Sequence, residues 1–272
     1  MVISSSPSNT DFSTGRYLDQ QKIGNALQQA VDFGASYAEV RLVSETGSSV
    51  NLRDGKLENA IPGQEVGVTL RILADGAWGV HSTTDIGSIS GQIESTVRLA
   101  KAVAMRRTSS DKPVQLAEVP IFQDEIHWHP KKDIRNTDLS TKIDMLKAIA
   151  DSASDDEKIV STTCGWADEH IHTELLTSEG MDRVWSFQRS LVRGMVTARD
   201  ESEVVSYRTR YGGEGGLELI ESCDLGQLGS DARIAALRLL KAKRAPSGKM
   251  PLIADRDLTG VYIHEALGHP CE

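Results

Sequence analysis

Two histidines and a glutamate stand close together near the end of the 272-residue sequence, at His264, Glu265 and His269. Imidazole nitrogens and carboxylate oxygens are zinc ligands, and a carboxylate beside a metal can also accept a proton. In the His-Glu-x-x-His motif of zinc proteases, the histidines lie four residues apart on one face of a helix. Here they lie five apart, which separates their side chains by about 140° on a regular α-helix. The two imidazoles therefore converge only if the helix absorbs an extra residue.

A π-bulge is a local distortion that absorbs one extra residue, and such bulges recur at functional sites. Gly268 offers the least resistance to it, and Pro270 disturbs the preceding turn because proline has no N–H. The alternative is an amphipathic helix that carries the three residues by chance, which average composition predicts for roughly one per cent of chains this long. Taken alone, the motif is compatible with metal binding without requiring it.

Two other pairs of histidines, His127/His129 and His170/His172, are spaced two residues apart. On a strand each pair would face one side of a sheet. Neither pair has a third candidate ligand nearby in the sequence, so a metal site at either pair is not favoured. The glycine-rich stretch 212–216 lacks the residues of a P-loop and the G-x-G-x-x-G spacing, which favours a flexible loop over a nucleotide site.

The composition is that of a soluble globular protein, with 25% charged and 39% hydrophobic residues. The net charge of −9 argues against nucleic acid as a partner, because phosphate contacts need clustered Lys and Arg. No run approaches the roughly 18 apolar residues that a membrane span requires, and Met1–Thr14 lacks the basic start and apolar core of a signal peptide. We therefore predict a cytoplasmic protein with no membrane partner and a disordered lead-in over residues 1–16.

The cysteines Cys164, Cys223 and Cys271 are odd in number and widely spaced. This spacing argues against a disulfide framework and favours a reducing compartment. Cys164 and Cys223 are predicted to be small buried hydrophobic residues, the common role of a free cysteine.

Hydrophobic periodicity and turn residues predict the elements that position these side chains. In the first half, a helix over Leu18–Phe33, stopped by Gly34, precedes the strands, and a helix introduced by Asp85 and reaching Met105 follows them. Turns at Asp54-Gly55 and Asp75-Gly76 join these strands into hairpins. The predicted strands are 37–43, 49–52, 57–60, 66–73 and 77–82.

A polar, proline-bearing linker near 108–120 separates this half from a second one of similar order. There, a helix capped by Ser140 and passing through Ala150 precedes the strands, and a helix over Leu225–Lys241 follows them. The predicted strands are 159–166, 172–178, 183–189, 191–198 and 204–211. The order helix–strands–helix, repeated twice, predicts an α+β fold of antiparallel sheets with packed helices. We place this domain at 17–245 and the motif segment at 246–272.

The segment Lys249–Asp255, followed by Leu258–Glu272, resembles the HExxxH segment of the TldD/PmbA family. These are metallopeptidases that were first named as modulators of DNA gyrase. The resemblance extends upstream through Ala245–Gly248. The hairpin at Asp54-Gly55, the hairpin over Gly67–Gly79 and the stretch Thr177–Gly180 look like the amino-terminal domain of the TldD branch.

The resemblance implies that His264 and His269 bind zinc and that Glu265 is the catalytic carboxylate. It implies that a cysteine far downstream, in a β-rich carboxy-terminal domain, completes the site. Substrates would be flexible peptides or unfolded polypeptides. The protein would form a homodimer, or a heterodimer with a PmbA-like paralogue that lacks the motif.

The sequence departs from the family pattern because it ends at Glu272, three residues after His269. The resemblance therefore implies an amino-terminal portion, truncated just after the motif, that lacks the carboxy-terminal domain. Cys271 does not correspond to the family's ligand cysteine. Only two of the usual three protein ligands of a catalytic zinc are therefore present. The expected function is a zinc-dependent peptidase that is inactive as this fragment. The alternative is a non-catalytic remnant that acts by dimerisation or partner binding.

Overall fold

The computed structural model describes residues 15–108 and 112–271. The chain divides into two compact units, one ending at Leu240 and one beginning at Lys241, slightly before the boundary we predicted at 245. Most of the predicted disordered lead-in, residues 1–16, lies outside the described residues. Arg16, at its end, pairs with Glu125 and Asp182. Among the described residues, no helix is both long enough and apolar enough to cross a membrane.

The first unit is an α+β fold, as predicted. Its strands are β1 (Tyr37–Arg53), β2 (Lys56–Ala74), β3 (Ala77–Thr83), β4 (Gln123–His127), β5 (Ile159–Thr177), β6 (Asp182–Asp200) and β7 (Glu203–Glu214). Its helices are α1 (Gln20–Asp32), α2 (Ile93–Met105), α3 (Leu139–Ala153), α4 (Leu217–Glu221) and α5 (Leu225–Leu240), with 3₁₀ turns at Ile86–Gln92 and Ile134–Asn136.

The helix ends follow from local chemistry. The side chain of Asp19 accepts a hydrogen bond from the Lys22 amide and begins α1, and Gly34 ends it at φ +94°, as predicted for a C-terminal glycine. The prediction that Ser140 caps α3 is wrong. Asp138 is the cap, because its carboxylate accepts the Thr141 amide at 2.7 Å, and Ser140 donates its hydroxyl to the same carboxylate.

The strands are longer than the sequence pattern predicts. The predicted strands 37–43 and 49–52 form one strand, β1, and the same holds for the pairs that make up β2, β5 and β6. Residues 44–48 of β1 break the hydrophobic alternation, yet they pair with β2 on one side and β5 on the other. Hydrogen bonding to two neighbours keeps this polar stretch extended. The turns at Asp54-Gly55 and Asp75-Gly76 occur as predicted, with positive φ at all four residues.

All seven strands belong to one sheet, in the order β3-β2-β1-β5-β6. Strands β4 and β7 pair with different parts of the same edge of β6: β4 with residues 182–186 and β7 with 189–200. Every pairing is antiparallel except that of β4, which is parallel to β6. Strand β4 and the short helix α4 were not predicted, because five-residue elements carry too little periodicity to stand out.

The glycine stretch 212–216 is not the flexible loop that its composition indicates. Gly212 and Gly213 belong to β7 and pair with Leu191 and Ser190. A Cβ at Gly212 would lie 2.3 Å from the Ser190 carbonyl oxygen. The glycine therefore allows a close approach of two strands.

The predicted repeat is present: α1, β1–β3 and α2 form one half, and α3, β5–β7 and α5 form the other. Strands β1 and β5 join the halves at the centre of the sheet, so the region 108–120, which has no helix or strand in its described part, does not separate two sheets. One core lies under α1 and α2. A second core lies under α3 and includes Trp166.

Between the two cores, the side of the sheet that faces the helices is polar. Successive rows across β1, β5 and β6 hold Ser44, His172 and Ser186; Thr46, His170 and Gln188; and Ser48, Asp168 and Ser190. Most of these side chains are buried. Lys142 of α3 reaches the last row and pairs with Asp168 at 2.6 Å.

The three cysteines are free. Cys164 is buried in the second core, where burial raises the pKa of its thiol to about 12. This confirms its predicted role as a small core residue. Cys223 is half-buried, and burial also raises the pKa of its thiol.

Candidate metal centre

The second unit contains the motif helix, α6 (Arg256–Ile263). Asp255 caps it by accepting the Leu258 amide at 2.9 Å. The carboxylate of a capping aspartate satisfies an amide that has no partner within the helix. Residues 241–255 contain no helix or strand.

The helix continues as a π turn over His264–Gly268. The His269 amide donates to the carbonyl of His264, five residues earlier, whereas an α-helix joins residues four apart. The turn thus absorbs the extra residue in the motif. This confirms the predicted π-bulge, and the two imidazole rings lie with centroids 4.5 Å apart.

The three motif side chains converge as a result. One potential ligand atom from each of His264, Glu265 and His269 lies within 4.8 Å of the other two, and a Glu265 oxygen is 3.5 Å from His269 Nε2. No other such group of three donors occurs among residues 15–108 and 112–271. Two imidazoles and a carboxylate form a donor set that suits zinc.

Gly268 makes room for this convergence. A Cβ at Gly268 would lie 3.0 Å from His264 Nδ1, which is tighter than ordinary van der Waals contact. The absence of a side chain therefore lets the His264 ring lie against the π turn.

The motif residues are exposed, with 62% of the Glu265 side chain and 51% of the His269 side chain accessible to solvent. Cys271 follows in a 3₁₀ turn over His269–Cys271. Its thiol is exposed and is not part of the donor group. The motif itself therefore provides two imidazoles and a carboxylate in an open site.

The first unit brings the four histidines of the two spaced pairs together in a cavity of about 340 Å³, which we call the histidine cavity. His127 and His129 come from β4 and the residues after it, and His170 and His172 come from β5. The rings of His127 and His172 are nearly parallel, with their centroids 6.4 Å apart. The sequence pattern does not predict the pairing of β4 with β6, so the two pairs were not expected to meet.

Hydrogen bonds hold two of these rings in place. His127 Nδ1 lies 2.8 Å from the Ser186 hydroxyl, and His172 Nε2 lies 3.0 Å from buried Glu174. The Nδ1 atom of His170 is buried and has no hydrogen-bond partner. Burial, and to a lesser extent the charge of the nearby Arg135, lower the pKa of His170 to about 4. His170 is therefore neutral at pH 7.

An acidic group beside the histidine cavity is held in its charged form. Burial alone would raise the pKa of Asp133, but hydrogen bonds from Arg135 and Gln188 lower it to about 2. Gln188 also accepts the Ile134 amide at 3.0 Å. These bonds make the wall of the cavity a fixed polar network.

Two family models match the first unit. The model described as PmbA/TldA metallopeptidase domain 1 matches residues 38–104, and the model described as PmbA/TldA metallopeptidase central domain matches residues 132–240. The first match covers β1–β3 and α2, and the second covers α3, β5–β7, α4 and α5. Each model therefore corresponds to one half of the repeat.

Curated relatives are metalloproteases. A metalloprotease of Methanothermobacter thermautotrophicus is 31% identical over 255 residues, which cover 94% of this chain and 54% of that protein. A zinc metalloprotease TldD homolog of Saccharolobus solfataricus is 23% identical over 252 residues, covering 90% of this chain and 52% of that protein. The chain spans about half the length of the curated relatives it matches.

Solved structures share the fold. A proposed modulator of DNA gyrase from Bacteroides thetaiotaomicron has a TM-score of 0.65 at 22% identity, over 86% of this chain and 53% of that one. TldE from Thermococcus kodakarensis has a TM-score of 0.57 at 16% identity, over 79% of this chain and 47% of that one. The family models, the curated relatives and the fold all agree, and this chain belongs to the PmbA/TldD family of metallopeptidases.

Proposed function

We propose that this chain carries the zinc-binding and catalytic motif of a peptidase of the TldD type. His264 and His269 hold the metal, and Glu265 is the general base. The observation that carries this proposal is the π turn, which brings donor atoms of the three side chains within 4.8 Å of one another despite their irregular spacing. A PmbA-like partner without the motif would have no such donor group.

When bound, zinc supplies Lewis acidity that polarises a carbonyl and makes water more acidic. The protein's own part in the reaction is proton transfer. The Glu265 carboxylate, exposed beside His269, accepts a proton from the attacking water and passes it to the leaving amine. Glu265 therefore acts as base and then as acid, while the two imidazoles fix the metal.

Substrates are proposed to be flexible peptides or unfolded polypeptides, and the assembly a homodimer or a heterodimer with a PmbA-like paralogue, in the cytoplasm. The names of the curated relatives support proteolysis. The 272 residues by themselves are proposed to be inactive. A catalytic zinc has three protein ligands besides water, and with Glu265 acting as base only two imidazoles remain here.

The second candidate function is non-catalytic partner binding. It is favoured by the apolar residues of the motif segment, which are exposed. Exposed apolar patches mark interaction surfaces. The exposed apolar residues of the motif segment are Leu258, Val261, Ile263 and Leu267.

Zinc content separates these roles. We expect purified chain to hold less than one zinc per molecule by elemental analysis and to lose it in His264→Ala and His269→Ala, but not in Glu265→Gln. For activity, the chain would be extended with the carboxy-terminal half of the Methanothermobacter relative and given a denatured protein as substrate. Glu265→Gln should then keep zinc and lose hydrolysis, because an amide cannot accept the proton.

Near-normal hydrolysis by Glu265→Gln in the extended protein would show that Glu265 is not the base. One tightly held zinc in the 272-residue chain, lost on Cys271→Ser, would show that the motif segment builds a complete site without further ligands. Failure of both histidine variants to change zinc content would favour the partner-binding role.

A further inference from the structure

Three arginines, Arg193 of β6 and Arg208 and Arg210 of β7, line a depression on the sheet face opposite the helices. Arg193 lies directly across from Arg210, and Arg208 lies across from Met195, so the three side chains point to the same face. All three are exposed. Their depression has a volume of about 500 Å³, and we call it the arginine groove.

The arginine groove contains no carboxylate. Its other lining residues are neutral: Asn51, Thr163, Gly165, Gly194, Met195 and Thr209. Among the described residues, none of the three arginines forms an ion pair, whereas the nearby Arg189 pairs with Glu169 at 3.6 Å. Like charges directly opposite each other on neighbouring strands are destabilising. A chain with net charge −9 therefore keeps an uncompensated positive site.

A hydrogen-bond network in the groove includes Arg193. Arg193 donates to the Asn51 side chain at 3.4 Å, and Asn51 in turn donates to Asn59 at 2.9 Å. This network crosses Gly165, where a Cβ would lie 2.7 Å from Arg193 Nε and 2.9 Å from the Asn51 oxygen. Gly165 therefore leaves room for the Arg193 side chain to lie across the sheet.

We propose that the arginine groove binds acidic segments of extended polypeptide through their carboxylates. Guanidinium groups bind carboxylates through paired, charge-assisted hydrogen bonds, and several arginines in a row match several carboxylates along one segment. Nucleic acid is the less suitable partner. The groove has no aromatic ring on which a base could stack.

This site lies in the first unit and does not depend on the metal motif, so it is tested by binding alone. The probe is a fluorescein-labelled peptide of about ten glutamates, with a glutamine peptide of equal length as the neutral reference, and the full chain is titrated in by anisotropy. We expect the glutamate peptide to bind more tightly than the glutamine peptide and to be released by salt, because exposed charge contacts are screened.

The double variant Arg208→Gln/Arg210→Gln should weaken this binding about ten-fold, since it removes two of the three guanidinium groups and each exposed charge contact contributes modestly. The matched control is Arg106→Gln/Arg238→Gln, which removes two exposed arginines elsewhere and should leave binding unchanged. Circular dichroism checks that both variants fold.

The proposal is overturned if the two peptides bind equally, or if both double variants weaken binding alike. Tighter binding of a labelled single-stranded oligonucleotide, abolished by the same double variant, would also overturn it and assign the groove to nucleic acid.

Discussion

At the scale of single residues, Gly268 links backbone geometry to metal binding. Gly268→Ala places a Cβ 3.0 Å from His264 Nδ1, so the imidazole must shift from the position that it holds beside the π turn. Alanine is also a better helix former than glycine, by up to about 1 kcal/mol. We therefore expect helix content to stay the same or rise while zinc affinity falls several-fold.

Competition with a chromogenic chelator measures that affinity, and circular dichroism measures the helix. Gly260→Ala is the control, because nothing lies within 4 Å of a Cβ placed there. Equal zinc affinity in both variants would mean that the position of His264 does not depend on Gly268.

His170 should make stability depend on pH. Its pKa is lowered from the ordinary 6.5 to about 4 in the folded protein, chiefly by burial, so the unfolded chain takes up a proton more readily. Stability from this group is present above pH 6.5 and is lost as the pH falls toward 4. His170→Gln cannot titrate and should show a shallower fall in unfolding free energy over this range.

Urea unfolding at several pH values measures this slope, with the exposed His129→Gln as control. A slope in His170→Gln as steep as that of the unchanged protein would assign the acid sensitivity to other groups.

The sequence was sufficient to predict His264, Glu265 and His269 as a group, because residue type and spacing carry that information. It also indicated a π-bulge as one distortion that absorbs the extra residue, and the π turn over His264–Gly268 is that distortion. The histidine cavity was not predictable. Its members come from two distant segments, and only the pairing of β4 with β6 places them together.

At the scale of elements, α3 is tied to β5 by the ion pair between Lys142 and Asp168, whose side chains are 7% and 3% exposed. The Ser48 hydroxyl and the Trp166 indole N–H also bind Asp168. Lys142→Ala leaves this carboxylate buried without its cation, and removing one partner of a buried pair costs about 3–5 kcal/mol.

Urea unfolding should therefore show a large loss of stability in Lys142→Ala. Lys147→Ala removes an exposed cation from the same helix, one that pairs with Asp144, and should change stability by less than about 1 kcal/mol. Similar small effects in the two variants would mean that water reaches Asp168.

Helices and turns were predicted better than strands because their signals are local. Gly34 and the two Asp-Gly turns specify backbone conformations that few other residues adopt. Strand length depends on partners far away in the sequence, and the polar rows between the two cores interrupt the alternation from which strands are read. Burial of His172 and Asp168 beside hydrogen-bonding neighbours explains why these positions tolerate polar residues.

At the scale of the whole molecule, the proposed peptidase should discriminate by conformation. The motif residues are exposed, but an extended backbone must reach them, and a folded substrate seldom offers one. In the extended protein described above, a denatured substrate should be digested at least about ten-fold faster than its native form, because local unfolding limits access to native chains.

Gel analysis of one substrate in both forms provides the measurement. The control is a short flexible peptide, which should be cleaved at similar rates under both sets of conditions. Equal digestion of native and denatured protein would contradict selection for unfolded chains.

The central pairing of β1 with β5 also has a consequence for how the chain reaches its fold. Even the paired residues that are nearest in sequence, Arg53 and Thr163, are 110 positions apart, so the middle of the sheet forms only after a long loop closes, which slows folding. Each half can form its hairpins and dock its helices early, since those contacts are local. Until the halves meet, β1 and β5 both present unpaired edges that can join strands of another chain. During synthesis, the edge of β1 that pairs with β5 stays unpaired until β5 has been made.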